Sequence, residues 1–217
     1  MGDFVRGVAD TALQLSGWEA LAVVLAVAYL LLAVRESLWC WYCALASTAI
    51  YTVLFWNVSL LMESALNVFY MAMAVYGWWQ WRRGGGEHRG VAIHRWPLRI
   101  HLALLAGIAV LTLASGYFLS TRTQAAWPYL DSFTTWASVI TTFMVAKKIL
   151  ENWFYWFVID STSVFLYLDR DMPLTAVLFI VYVVLVVCGY VTWRRHEKRE
   201  QKERREQREQ QGQLRPA

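Results

Sequence analysis

The sequence predicts an all-α integral membrane protein of seven transmembrane helices in a 3+1+3 parallel-repeat arrangement, oriented N-out/C-in. Three observations predict it. Hydrophobic residues make up 58% of the 217, above the ordinary soluble range, and they fall in runs of the ~20 residues that cross a bilayer. Lys and Arg gather on one side of those runs, as cytoplasmic loops do. The chain also matches itself at an offset of 112 residues, with Trp41 on Trp153, Leu54 on Leu166, Tyr70 on Tyr182, Val75 on Val187, Gly77 on Gly189, and Trp81-Arg82-Arg83 on Trp193-Arg194-Arg195.

The expected spans are 18–34, 38–56, 60–81, 98–119, 130–147, 150–168 and 173–193. Gly17 and Arg35 bracket the first, and Arg35-Glu36-Ser37 turns into the second, which ends at Trp56-Asn57. The third runs into Trp78-Trp79-Gln80-Trp81, where Trp81 reads as a belt residue at the interface, and then into the basic, glycine-rich segment from Arg82 to Gly86. Pro97, Pro128 and Pro173 stand near the starts of the fourth, fifth and seventh spans, where proline costs a helix little. The offset makes spans one to three equivalent to spans five to seven. Three is odd, so the fourth span restores the parallel sense, and a solute should bind near the midplane between the two bundles. The units are then residues 18–81 (first three-helix bundle), 82–97 (cytoplasmic linker), 98–119 (connecting helix), 130–193 (second three-helix bundle) and 194–217 (charged cytoplasmic tail).

With the N-terminus outside, the inner face holds Arg35, Arg82, Arg83, Arg89, Arg95, Arg99, Lys147 and Lys148 besides the tail, and the outer face only Arg6, Arg122 and Arg170. The tail from Arg194 carries nine Lys/Arg and five Glu, which is the whole net charge of +4. The basic balance is therefore topological, and no nucleic-acid partner is expected. The tail is polar all round and reads as a solvated helical extension or a disordered segment. Cys40, Cys43 and Cys188 lie in apolar runs and read as packing residues; no metal site and no cofactor is expected.

Ionisable groups in hydrocarbon cost at least ~2.5 kcal/mol each and persist where they face a cavity or a partner. Asn152, Trp156 and Asp160 follow one another at helical spacing on one stripe of the sixth span, with Trp153 beside them; Asn67 and Tyr70 share a stripe with Glu63 in the third. The fifth span adds Thr134, Thr135, Ser138, Thr141 and Thr142, most of which should bond their own backbone. Asp160 lies mid-span with no Lys or Arg in its helix. Trp faces and a carboxylate attract cations, and amides and hydroxyls suit sugar hydroxyls. The solute this chemistry fits is a flat, cationic or neutral ring bearing hydroxyls; a phosphate lacks an Arg to bind it.

The segments Asn67-Val-Phe-Tyr70, Tyr76-Gly77-Trp78-Trp79-Gln80-Trp81 and, above all, Glu151-Asn152-Trp153-Phe-Tyr-Trp156-Phe-Val-Ile-Asp160 resemble the PnuC family of nicotinamide riboside transporters. The resemblance reaches to about Trp193. It implies a fold similar to the SWEET sugar transporters and facilitated diffusion of nicotinamide riboside across the bacterial cytoplasmic (inner) membrane, with trapping by a cytoplasmic riboside kinase. Relatives resemble carriers of thiamine or riboflavin, so the vitamin stays open. On this reading Trp153 and Trp156 stack on the ring, Asn67, Asn152 and Asp160 bond the ribose or offset the charge, and Tyr70, Gln80 and Ser138 complete the substrate-binding set. A homo-oligomer in the lipid bilayer is expected.

Other classes fit less well. The sequence contains no G-x-x-x-x-G-K-[ST] motif for a primary pump, and the last span holds no lysine for a retinal. His88, His94, His101 and His196 are too dispersed to suggest a buried catalytic cluster. A proton-coupled symporter using Glu63, Glu151 or Asp160 remains the competing mechanism.

Overall fold

The computed structural model describes residues 16–57, 61–84, 91–123, 127–169 and 172–213. Arg6, His88, Arg89, Arg170 and the Gly85-Gly86 pair lie outside them, as does the side chain of Glu63. The described residues form seven helices: α1 (Gly17–Val34), α2 (Trp39–Asn57), α3 (Leu61–Arg83), α4 (Leu98–Arg122), α5 (Pro128–Ala146), α6 (Asn152–Asp169) and α7 (Pro173–Gln213). Among them α1, α2, α4 and residues 173–203 of α7 are long and apolar enough to cross a membrane.

Local chemistry sets the helix ends. Ser16 caps α1 in a reciprocal box with Glu19, Glu19 N donating to Ser16 Oγ (3.2 Å) and Ser16 N to Glu19 Oε2 (2.7 Å). Pro97 precedes α4, and Pro128 and Pro173 open α5 and α7. α6 begins at Asn152, two residues later than the expected span, because residues 147–151 form a turn tied by a parallel bridge between His94 and Ile149. α7 passes Trp193 without a break and runs to Gln213, so of the two readings of the tail the helical extension is the one the structure bears out. Arg95 holds that extension, its Nε and Nη2 donating to the two carboxylate oxygens of the buried Glu197 at 2.8 and 2.7 Å.

Packing joins α1 to α2, α2 to α3, α3 to α5, α5 to α6, α6 to α7 and α7 back to α1. The six helices therefore close a cycle, and across its core the Trp81 and Trp193 rings of the opposite helices α3 and α7 meet at 5.9 Å. α4 stands outside the cycle, packed on α5 and touching α6 through Ile108 and His101. A core of Ala33, Trp41, Met73, Trp81, Val145, Trp153, Val186, Trp193 and their neighbours fills one end of the cycle from both halves of the chain.

Positions 112 residues apart share their geometry throughout that end. Among the described residues, Glu36 and Lys148 are the non-glycine positions with left-handed backbone, φ 54° and 53°. Each is the residue after a helix cap in a Schellman motif: Ser37 N donates to Leu32 O and Ile149 N to Met144 O, while Glu36 N donates to Ala33 O and Lys148 N to Val145 O. Trp41 lies over Gly77, where an added Cβ would come within 2.3 Å of the ring, and Trp153 lies over Gly189, at 2.4 Å. Trp41 meets Trp81 edge-on at 5.3 Å, and Trp153 meets Trp193 at 5.2 Å. Trp81 Nε1 then donates across the halves to Val145 O (3.2 Å), and Trp193 Nε1 to Ala33 O (3.0 Å). Trp81 is thus a buried joint between the halves. Its expected belt position is overturned because its indole N–H finds a carbonyl partner that lipid would not supply.

Candidate functional site

The polar groups of the cycle are unevenly spread. On α6, Asp160 is 3% exposed and its carboxyl has no hydrogen-bond or ion-pair partner among the described residues. Tyr182 of α7 lies within electrostatic range of it. Trp156, one turn earlier, is half-buried and touches both the central core and the cluster of Ile108, Ala137 and Ile159 between α4, α5 and α6. Asn152, at the start of α6, is fully buried; its Nδ2 donates to Ile149 O at 2.6 Å, and its Oδ1 has no partner. Trp153 is 2% exposed, with its ring held between Gly189 and Trp193.

The remaining expected site residues are distributed as follows. Asn67 and Gln80 of α3 are buried and Tyr70 is half-buried. Gln80 Nε2 donates to the Tyr76 hydroxyl at 3.2 Å, and the Tyr76 ring stacks on Phe143 of α5 at 5.9 Å. Ser138 is buried on α5, the helix that joins α3 to α6. Thr134, Thr141 and Thr142 donate to carbonyls of their own helix, the last two at 2.6 and 2.7 Å, as side-chain economy in an apolar medium favours. The expected set therefore falls into an α6 group and an α3 group that α5 connects; α3 and α6 do not themselves pack.

Some chemistry was missed by the sequence reading. His101 is tucked beside α6, its Nδ1 3.0 Å from the Tyr155 hydroxyl and its Nε2 3.8 Å from Glu151. The turn at 147–151 brings Glu151 back toward α4, so this half-buried His–Tyr–Glu contact forms between residues about 50 apart in sequence. At the same end Lys148 Nζ lies 2.8 Å from Glu36 Oε2 and 4.8 Å above the Trp81 ring, and His196 Nδ1 lies 2.6 Å from Glu36 Oε1. The repeat offset of 112 equates Glu36 with Lys148 and was the one available signal for this pair. Two surface clefts, about 380 and 520 Å³, lie over the α7 extension and are lined by charged groups such as Glu36, Lys148, Arg199 and Glu200 in one and Arg95 and Glu197 in the other. They touch none of the expected site residues. The buried, unpaired Asp160 is the better guide to a ligand, since an uncompensated buried carboxyl is costly and a surface cleft between charged side chains is not.

Long apolar helices closing a cycle around a buried carboxyl fit a multi-pass membrane protein, and the comparisons with known proteins place it among transporters. The model of the family described as nicotinamide mononucleotide transporter matches residues 16–195, and the chain belongs to that family. It is 26% identical over 175 residues to the riboflavin/roseoflavin transporter RibM of Streptomyces davaonensis, covering 78% of this chain and 81% of the relative. It is 24% identical over 179 residues to the nicotinamide riboside transporter PnuC of Escherichia coli, covering 71% and 75%. The fold matches the crystal structure of the vitamin B3 transporter PnuC with a TM-score of 0.67, at 20% identity and 90% coverage of both chains.

Proposed function

We propose that the protein carries nicotinamide riboside across a bacterial inner membrane by facilitated diffusion, with Trp156 and Asp160 as its principal ligand groups. The observation that carries this is Asp160, a carboxyl buried without a partner on the same face as Trp156. A pyridinium ring on the Trp156 face would supply the missing positive charge. Asn67, Tyr70, Gln80, Ser138 and the free Oδ1 of Asn152 offer polar groups for the ribose. Trp153, held by Gly189 and Trp193, serves to fix the angle of α6 and so to aim Trp156.

The packing cycle supports the 3+1+3 reading. A half-turn that exchanges α1 with α5, α2 with α6 and α3 with α7 reproduces every neighbour relation, and α4 is left over as the connector. The Lys/Arg distribution supports N-out/C-in, which puts the Glu36–Lys148 end at the cytoplasm. Alternating access is then a rocking of residues 18–81 against 130–193, and a cytoplasmic kinase that phosphorylates the riboside would hold it inside. A flavin is the second reading, favoured by the similarity to RibM.

Equilibrium binding of nicotinamide riboside, thiamine and riboflavin to the purified protein tests the assignment. Nicotinamide riboside should bind best, and Trp156→Ala and Asp160→Asn should each weaken it at least tenfold. Wild-type affinity in both variants would remove these residues from the site. Uptake into vesicles should continue when the proton gradient is collapsed; if it stops, the carrier is a proton symporter.

A further inference from the structure

We propose that Ala44 of α2 is the wall opposite the Trp156 ring site, and that its small side chain sets the width of ring the carrier accepts. This rests on the reading of Trp156 and Asp160 as ligand groups. The stripe Asn152, Trp156, Asp160 has as its counterpart, 112 residues earlier, Cys40, Ala44 and Thr48. The equivalence is geometric as well as numerical. The residues beside these stripes, Trp41 and Trp153, pack on equivalent glycines and meet equivalent tryptophans at nearly equal distances, and each leaves its own buried Nε1 without a partner. α2 and α6 hold the same position in the packing cycle and lie on opposite sides of it. Ala44 and Trp156 both pack against the same central core.

The two walls differ in what they offer. Thr48 Oγ1 donates to the Ala44 carbonyl at 2.7 Å, so its hydroxyl is spent on its own helix. Cys40 is fully buried. With Cys40 and Asn152 both fully buried, the α2 stripe presents the Ala44 methyl group, whereas the α6 stripe presents the half-buried Trp156 ring and the Asp160 carboxyl, which has no partner among the described residues. An asymmetric solute has its polar handle held on one side, while the other side only limits its thickness and breadth. A bulky residue at position 44 would restore the symmetry of the two walls and fill the space the ring needs.

The test is equilibrium binding of nicotinamide riboside (one aromatic ring) and riboflavin (three fused rings) to the full chain carrying Ala44→Gly, Ala44→Val, Ala44→Leu or Trp156→Ala, with each variant's melting temperature measured alongside. Affinity should fall stepwise with side-chain size, at least tenfold by Ala44→Leu, and more steeply for riboflavin. Ala44→Gly, which adds no volume and needs no repacking, should raise the relative affinity for riboflavin several-fold. If Trp156→Ala loses binding while every folded Ala44 variant keeps wild-type affinity for both ligands, the wall assignment is overturned and the ring site stands. If Trp156→Ala binds as the wild type does, or the wild type binds neither ligand, the underlying reading fails and this inference with it.

Discussion

Glu36 and Lys148 occupy equivalent positions of the repeat, carry opposite charges and bond to each other, so their charges can be exchanged in place. Each side chain is 13% exposed, and the Nζ–Oε2 distance is 2.8 Å. An exposed pair is worth ~0–1 kcal/mol, and breaking a fully buried one costs ~3–5 kcal/mol. At this exposure, loss of the pair should cost about 2 kcal/mol, nearer the exposed limit because water still reaches both groups. Lys148→Glu loses that attraction and adds repulsion from Glu36. For a chain of this size about 2 kcal/mol corresponds to roughly 4–8 °C in melting temperature. Lys148→Gly should fall by only about half as much, since glycine relieves ~1 kcal/mol of left-handed backbone strain at φ 53°. The swap Glu36→Lys/Lys148→Glu should recover most of the loss. It will not recover all of it, because His196 lies 2.6 Å from position 36 and would then face a lysine. Tryptophan fluorescence during thermal unfolding in detergent reads these proteins together with the Glu36→Lys single variant, and the double-mutant cycle over the two singles and the swap isolates the pair. A swap no more stable than Lys148→Glu alone would refute the equivalence of the two positions.

Other outcomes follow from the same geometry. Gly77→Ala and Gly189→Ala should each destabilise by ~1–3 kcal/mol through overpacking, since the new methyl would sit 2.3 and 2.4 Å from tryptophan rings, whereas Gly107→Ala, with nothing within 4 Å, should be neutral in the same melts. Trp81→Phe and Trp193→Phe should cost similar amounts, ~0.5–1.5 kcal/mol each for the lost hydrogen bond, because each removes the indole donor to Val145 O or Ala33 O while the turn N–H of Lys148 or Glu36 still reaches that carbonyl. Arg95→Ala should free the α7 extension by leaving the buried Glu197 uncompensated, which limited trypsinolysis would show as faster cleavage beyond Arg194.

Helix number and order were legible because each span's length is set by the bilayer and the starts of α4, α5 and α7 are marked by a residue whose backbone chemistry is local: Pro97, Pro128 and Pro173. The end of α7 was not legible. Its extension has no apolar face, and what holds its base is a bidentate contact between Arg95 and Glu197, 102 residues apart, which no periodicity announces. Trp81 was misread for a related reason. A tryptophan beside Arg82-Arg83 satisfies the composition rule for an interface whether its indole faces headgroups or a carbonyl of another helix, and the choice depends on where Val145 comes to lie. The offset of 112 did contain that information, since it equates Trp81 with Trp193 and Val145 with Ala33, but only a structure shows that these pairs bond crosswise.

The candidate site left a different trace. The helices that fall short of the apolarity needed to count as spans on composition are α3, α5 and α6, and they are the three that carry all eight expected site residues. A helix that faces only lipid and core can be apolar all round, as α4 nearly is. A helix that must also face a polar solute gives up part of that apolarity, and it needs neighbours to shield what it exposes. Shielding explains why α5 sits between α3 and α6, with α4 covering its far side. It also explains why Thr134, Thr141 and Thr142 back-bond while Asp160 does not. A hydroxyl can be silenced by its own helix, but a mid-helix carboxylate has no backbone N–H to spare within reach. The Asp160 carboxyl, unpaired among the described residues, is therefore the part of the sequence that packing alone does not account for, and a cationic ring resting on Trp156 would answer it.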